Sequence, residues 1–347
     1  MTPRIAIVGA GAIGSVVGGL LTRAGVDVTL VDQWADHVDA MQRDGLRLSI
    51  EGHDEITVPV QALQIHELQS VSEPFDMAFV AVKSYDTEWA THLIAPYLTS
   101  DGVVVDFQNG INDERVAAIV GAERTLGCVI TIGAGLYEPG HALRTDTREL
   151  GFKVGELDGK VTDRARAIAE LLQHVEGAEV TDNLWGERWA KLAVNCMANP
   201  IAGLTGYGSA EVRRRDDTRR VCVRVAAEAI EVGRAHGHEI DQVWGIPADR
   251  FVNAAAGIDT EQLDEELIEG AGALGEGRPS FLQDVIRKRR TEIDFLNGYV
   301  VERGREAEVP TPYNDAVVEV VHSFPVGQLV PDPANLDRLL EAIGDQG

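Results

Sequence analysis

The sequence predicts a chain in two parts, an α/β half built on a parallel sheet and an all-α half after it. Three observations carry that prediction. Short apolar runs alternate with helical periodicity through the first half, as buried parallel strands joined by crossover helices do. Near residue 182 the pattern changes and the spacing is helical from there on, which divides the chain into 1–182 and 183–347. A length of 347 residues is enough for each part to own a core.

The first element is Ile5, Ala6, Ile7 and Val8, a run expected to be buried on both faces. Gly9, Gly11 and Gly14 follow at GxGxxG spacing, and helical periodicity then runs to Leu21. A second apolar strand, residues 26–31, ends in Asp32, 18 residues after Gly14. Strand, glycine turn, helix, strand and acid together specify a Rossmann-type dinucleotide-binding domain. Gly9 permits the turn, Gly11 lets the backbone approach a pyrophosphate, and Gly14 brings helix and strand together. The helix start, with Ala12 and Ile13, presents N–H groups to the phosphates. Asp32 is placed to accept hydrogen bonds from ribose hydroxyls and to repel a 2′-phosphate. No Arg or Lys follows it before Arg43, so NAD(H) is favoured over NADP(H).

The charge-free stretch 5–22 superficially resembles a signal peptide or a membrane span. Its five glycines and strand-then-helix pattern argue against both, and a soluble cytoplasmic protein without membrane contact is expected. A net charge of −25 argues against nucleic acid, and it means that an anionic substrate needs local positive charge. Only five lysines are available for that: 83, 153, 160, 191 and 288. Three scattered cysteines without a CxxC predict neither a disulfide framework nor a metal site. His236 and His238 read as an exposed helix end.

Along the first half, residues 35–44 look helical, and 46–50 and 56–63 alternate like hairpin strands around Gly52. Strands at 75–82 and 102–107 end at Lys83 and at Gln108-Asn109-Gly110. Ligands on parallel sheets sit beyond the carboxyl ends of strands, where Gly9, Asp32, Lys83 and Asn109 all fall. Further strands are expected over 124–157, then a helix over about 162–174. In the second half, helices are expected at 184–199, 209–236, 246–255, 261–269, 280–304, 312–323 and 334–343. The clusters Arg213-Arg214-Arg215 and Arg287-Lys288-Arg289-Arg290 read as solvated helix faces.

Two segments carry candidate chemistry. In LWGERWAKLAVNCMANP, Lys191, Asn195 and Asn199 stand at i, i+4 and i+8 among apolar neighbours. They drift by about 80° in total, a polar stripe about 12 Å long. Burying such a stripe is unfavourable unless it faces a ligand or an internal network. In RPSFLQDVIRKRRTEIDFLNG, Ser280 with Gln283 and Thr291 with Asp294 have capping-box spacing. An unbroken helix would separate Ser280 from Glu292 by about 18 Å. A break around 289–291, with Thr291 as a new cap, would put Glu292 in the first turn of a fresh helix.

With these segments in view, the chain resembles the ketopantoate reductase (2-dehydropantoate 2-reductase) family. The matching pieces are IAIVGAGAIGS (5–15), VAVKSYDT (80–87), DFQNG (106–110), ERWAKLAVNCMANP (187–200) and SFLQD…RRTEIDFLNG (280–298). The resemblance implies a Rossmann domain followed by a helical substrate and dimerisation domain, with a small anionic 2-keto acid held between them. It implies reduction of that acid by a nicotinamide cofactor, a step of pantothenate biosynthesis, commonly in a homodimer and with no metal. Lys191 matches the family's catalytic lysine and Glu292 its active-site glutamate. Asn109, Asn195, Asn199 and Ser280 match substrate-binding positions, and Lys83 a lysine near the cofactor. Asp32 departs from NADPH-using members, which carry an arginine there. The region 240–278 looks longer than in compact members.

Two rival readings share some of these features. A 3-hydroxyacid dehydrogenase of the 6-phosphogluconate type also uses a Lys-xxx-Asn, but TEIDFLNG and Asn199 favour the reductase. A non-catalytic NAD sensor would have no need of Lys191 and Glu292.

Overall fold

The computed structural model describes residues 3–147, 149–272 and 278–344. The chain divides into two compact units, Met1–Leu184 and Trp185–Gly347.

The first unit begins β1 (Arg4–Val8), α1 (Ala12–Arg23), β2 (Asp27–Asp32) and α2 (Ala35–Asp44). Then come β3 (Leu46–Ile50), β4 (Ile56–Val58), β5 (Gln61–Gln64) and β6 (Phe75–Val80). They are followed by α3 (Thr87–Ile94), β7 (Leu98–Asp106), α4 (Asp113–Val120) and β8 (Thr125–Ile130). The unit ends with β9 (Ala134–Glu138), β10 (His141–Arg144), β11 (Phe152–Glu156), α5 (Asp163–Leu172) and β12 (Ala178–Val180). The main sheet has the order β12-β11-β8-β7-β6-β1-β2-β5, parallel throughout except where β11 runs antiparallel to β8. Ile5, Ala6 and Ile7 are fully buried, as a central strand covered on both faces requires.

A second sheet, β4-β3-β10-β9, covers the far side of α1, where a side chain at Gly19 would strike Leu46 and Leu48. The expected hairpin strand 56–63 is therefore two strands. β4 pairs antiparallel with β3, but after Pro59 the chain crosses to the main sheet, where β5 lies parallel to β2. A proline has no N–H to give a ladder, so the pairing stops there.

In the second unit α6 (Leu184–Thr205) is followed by α7 (Ser209–Arg214) and α8 (Asp216–Ala235). A two-residue hairpin comes next, β13 (Gln242–Val243) with β14 (Ile246–Pro247), and then α9 (Ala248–Ala255) and α10 (Thr260–Ala271). The last helices are α11 (Ser280–Ile286), α12 (Asn297–Glu306), α13 (Pro312–His322) and α14 (Asn335–Gly344). Of the long region 240–278, residues 273–277 lie outside the described residues. No described helix is long and apolar enough to cross a membrane.

Four expectations are corrected in this unit. Among its described residues it is helical apart from the β13–β14 hairpin. The helix expected over 209–236 breaks at Arg215, whose backbone is extended. Arg213 is buried, lies 4.6 Å from the Trp244 ring and donates to the Ser209 carbonyl, so its cluster is not wholly solvated. His236 and His238 are half-buried, because their rings stack on Trp189.

Candidate active site

At the carboxyl end of β1 the chain turns at Gly9, whose φ of +100° suits glycine. Its N–H donates to the Val31 carbonyl at 2.8 Å, joining the turn to β2. A side chain at Gly14 would overlap the Gly9 carbonyl, so that glycine lets α1 start against the turn. Gly11 differs: a Cβ there would meet no atom within 4 Å. It stands at the N-cap of α1 with no side-chain cap and no acid in the first turn. The helix thus opens with the amides of Ala12, Ile13 and Gly14 and the positive end of its dipole. Open space beside uncapped amides, with no acid in that turn, fits a dinucleotide's pyrophosphate.

Asp32 ends β2, half-buried, and its Oδ1 accepts the Trp34 N–H at 2.8 Å. Trp34 stacks on His37 at 5.4 Å between ring centroids. The buried His37 accepts the Gly140 N–H on Nδ1 at 2.8 Å. That leaves its Nε2–H to donate to Ser15 Oγ at 3.2 Å, and Ser15 donates to the Ala10 carbonyl at 2.7 Å. Burial holds the His37 pKa below its ordinary value against the pull of Asp32, consistent with this neutral form. The glycine turn is in this way tied to the β9–β10 turn.

Lys83 follows β6 and Asn109 follows β7, both half-buried. The Asn109 carbonyl accepts from Ser84 Oγ and from Asn112 Nδ2, each at 3.0 Å. Gln108 Nε2 donates to the Val82 carbonyl at 2.8 Å, and Arg115 Nη1 to the Ser84 carbonyl at 2.7 Å. The two loops are therefore laced into one ledge. Gly9, Asp32, Lys83 and Asn109 stand at the carboxyl ends of four adjacent strands, β7-β6-β1-β2, as expected.

In the second unit Lys191, Asn195 and Asn199 lie on α6. Lys191 is half-buried and Asn195 buried, and Asn199 Nδ2 donates to Asn195 Oδ1 at 3.3 Å. The helix continues past the expected 199 to Thr205, with Pro200 inside it.

The segment 280–304 does break, by a different device from the one expected. α11 ends at Ile286, Lys288 turns the chain with φ +55°, and Glu292 heads a 3₁₀ turn, Ile293–Phe295. Glu292 is 5% exposed. Neither expected capping box forms. Ser280 is the first residue of α11, with Pro279 at the cap, while Gln283 Nε2 donates to the Arg278 carbonyl at 2.9 Å. Asp294 accepts from His322 at 2.7 Å instead of engaging Thr291.

Sequence reasoning missed the ties that aim these residues: Ser15 and His37 behind the glycine turn, Ser84 and Gln108 under Lys83 and Asn109, and Asn297 beside α6. Pro200 was the available signal for the last of these, since a proline inside a helix leaves a carbonyl to be satisfied.

The ketopantoate reductase PanE/ApbA family model matches residues 5–159, and its C-terminal counterpart matches residues 183–324. A 2-dehydropantoate 2-reductase of Archaeoglobus fulgidus is 32% identical over 326 residues, covering 93% of this chain and 98% of that one. The crystal structure of 2-dehydropantoate 2-reductase from Geobacter metallireducens superposes with a TM-score of 0.79 at 25% identity, over 92% and 99% of the chains. D-mandelate dehydrogenase, in a ternary structure with NADH and anilino(oxo)acetate, gives 0.78 at 25% identity over 97% and 99%.

Proposed function

This chain belongs to the ketopantoate reductase family, and on that premise we propose that it reduces 2-dehydropantoate to pantoate with NADH preferred over NADPH. The nicotinamide cofactor, when bound, supplies the hydride that attacks the ketone carbon. Gly11 and the amides of Ala12, Ile13 and Gly14 hold the diphosphate, and Asp32 accepts from the ribose hydroxyls. Lys83 and Asn109 complete the cofactor edge.

Reduction leaves charge on the former carbonyl oxygen. Lys191 stabilises that charge and gives its proton to the oxygen, a role worth ~10²–10⁴-fold in rate. Asn195 and Asn199 orient the substrate by hydrogen bonds without adding charge. Ser280 binds the substrate carboxylate, and Glu292 orients Lys191 and receives a substrate hydroxyl. The observation that carries this reading is the single stripe of Lys191, Asn195 and Asn199 on α6, its two asparagines already bonded to each other.

A homodimer follows from the same family resemblance, and light scattering on the eluted protein tests it. A second reading is a bulkier, aryl-bearing 2-keto acid. It is favoured by the likeness to D-mandelate dehydrogenase, which was solved with NADH and anilino(oxo)acetate.

The deciding experiment follows NADH and NADPH oxidation with 2-dehydropantoate beside a panel of branched and aromatic 2-keto acids. Highest kcat/KM for 2-dehydropantoate with NADH supports the proposal. A higher value for an aryl keto acid supports the second reading, and no oxidation with any keto acid overturns both.

A further inference from the structure

Pro200 has no N–H, so the carbonyl of Cys196, four residues back in α6, loses its helical partner. Cys196 is fully buried, beyond the reach of water, and a buried carbonyl needs a donor. The donor comes from outside the helix: Asn297 Nδ2 gives a hydrogen bond to the Cys196 carbonyl at 3.3 Å. The same amide nitrogen donates to Asn314 Oδ1 at 2.9 Å. Asn314 Nδ2 in turn reaches the Val225 carbonyl at 3.1 Å and Glu228 Oε2 at 2.7 Å. Asn297 and Asn314 are both 0% exposed. One chain of amides therefore joins α6, α12, α13 and α8.

The place of this tie gives it meaning. Cys196 and Pro200 directly follow Asn195 and Asn199, so the orphaned carbonyl lies in the turn that sets the relative aim of the two asparagines. Asn297 opens α12, next to Leu296, whose N–H donates to the Glu292 carbonyl at 3.0 Å. A proline kinks a helix by an amount that the groups filling the gap decide. We infer that Asn297 is a positioning residue of the reaction: its amide fills the gap at Pro200 and so fixes Asn195 and Asn199 against the segment carrying Glu292. Asn297 touches no reacting atom. The inference rests on the proposed roles of Asn195, Asn199 and Glu292, since a misaim matters only where those groups meet the substrate.

Two substitutions separate this from a general packing role. Asn297→Ala removes the donor and leaves the carbonyl orphaned. Pro200→Ala restores an N–H at position 200, which can satisfy the Cys196 carbonyl from within the helix. In the full-length protein, Asn297→Ala is expected to lower kcat for the keto acid by about tenfold to 10²-fold, the scale of a small misplacement. NADH affinity, read by fluorescence, stays within about twofold, because the cofactor edge belongs to the other unit. In the Pro200→Ala background, adding Asn297→Ala changes kcat little further, since the acceptor on α6 is already satisfied and only Asn314 Oδ1 on α13 loses a donor. That pair of variants carries the test should Asn297→Ala alone fold poorly.

A lower melting temperature with kcat and KM unchanged at 25 °C overturns the inference and leaves Asn297 a packing residue. So does a full additional loss of kcat in the Pro200→Ala background. A wild-type protein that reduces no 2-keto acid overturns the proposed function, and this inference falls with it. An active wild type with an unaltered Asn297→Ala variant overturns this inference alone.

Discussion

The glycine turn of the first unit and the proline-bearing stretch of α6 in the second solve opposite problems. At Gly9–Gly14 the groups proposed to face the cofactor are backbone amides, and the sequence acts by leaving side chains out. At Lys191–Asn199 the proposed working groups are side chains, and the backbone beneath them lacks a helical hydrogen bond that Asn297 replaces from a distance. A backbone site has its tolerances set locally, so one added methyl tests it. A candidate side-chain site on a helix that contains a proline draws on partners about a hundred residues away, such as Asn297 on Cys196. Damage to the first should show in cofactor affinity, and damage to the second in turnover.

The largest expected effect is on the side-chain site. Lys191→Ala should lower kcat by ~10²–10⁴-fold, the usual contribution of a positioned acid or base. NADH affinity by fluorescence should stay nearly constant. Unaltered turnover would take Lys191 out of the mechanism and leave the α6 stripe as internal packing.

The scaffold beneath that site titrates. Burial pushes the Glu228 carboxyl up to about 7, opposed by the backbone N–H groups of Tyr313 and Asn314 and by the Asn314 side chain. An acid held above its unfolded value contributes stability through its bound proton. That contribution is complete below an unfolded value of ~4.5 and is lost as pH rises through about 7. The change amounts to about 3 kcal/mol across that window. Urea unfolding of wild type and Glu228→Gln at pH 5 and pH 8 measures it. The difference between the two proteins should change with pH by that order, and a pH-independent difference would exclude Glu228 as its source.

The backbone site has its own paired test. Gly14→Ala would overlap the Gly9 carbonyl and should destabilise the protein by roughly 1–3 kcal/mol, as forced overpacking does. Gly11→Ala meets no protein atom and should leave stability within about 0.5 kcal/mol. It should still weaken NADH binding, because the methyl would occupy the space proposed for the pyrophosphate. Equal melting temperatures for the two variants would deny the difference in their surroundings.

These contrasts also explain what could be read before the structure. GxGxxG and the strand on either side were legible because backbone geometry dictates residue type there, and Asp32 was legible as the acid that ends the second strand. The division into an α/β and a helical half was legible from periodicity alone. The α6 stripe was legible as spacing, and its identity as a candidate site came from resemblance. What stayed hidden depends on contacts between distant elements. Ser280 has the residues of a capping box, yet Pro279 takes the cap and Gln283 turns to Arg278. Arg213 belongs to a run of three arginines, yet it is buried beside Trp244. The departure of β5 from its hairpin hinged on Pro59, whose missing N–H the alternating pattern around it concealed.

The smallest effect tests the edge of the backbone site where a side chain does take part. Asp32 offers two carboxylate oxygens, one of them accepting the Trp34 N–H. If the carboxylate receives the ribose hydroxyls, Asp32→Asn keeps the shape and an acceptor but removes the charge. Each charge-assisted hydrogen bond so weakened is worth about 1.5–3 kcal/mol at most, and tenfold corresponds to about 1.4 kcal/mol. NADH should therefore lose about tenfold in kcat/KM, while NADPH, no longer repelled at its 2′-phosphate, should gain. The ratio of the two measures cofactor choice without reference to which keto acid is used. A ratio that does not move would mean that position 32 only holds Trp34 in place, and the choice of cofactor would then have to be made elsewhere on the ledge.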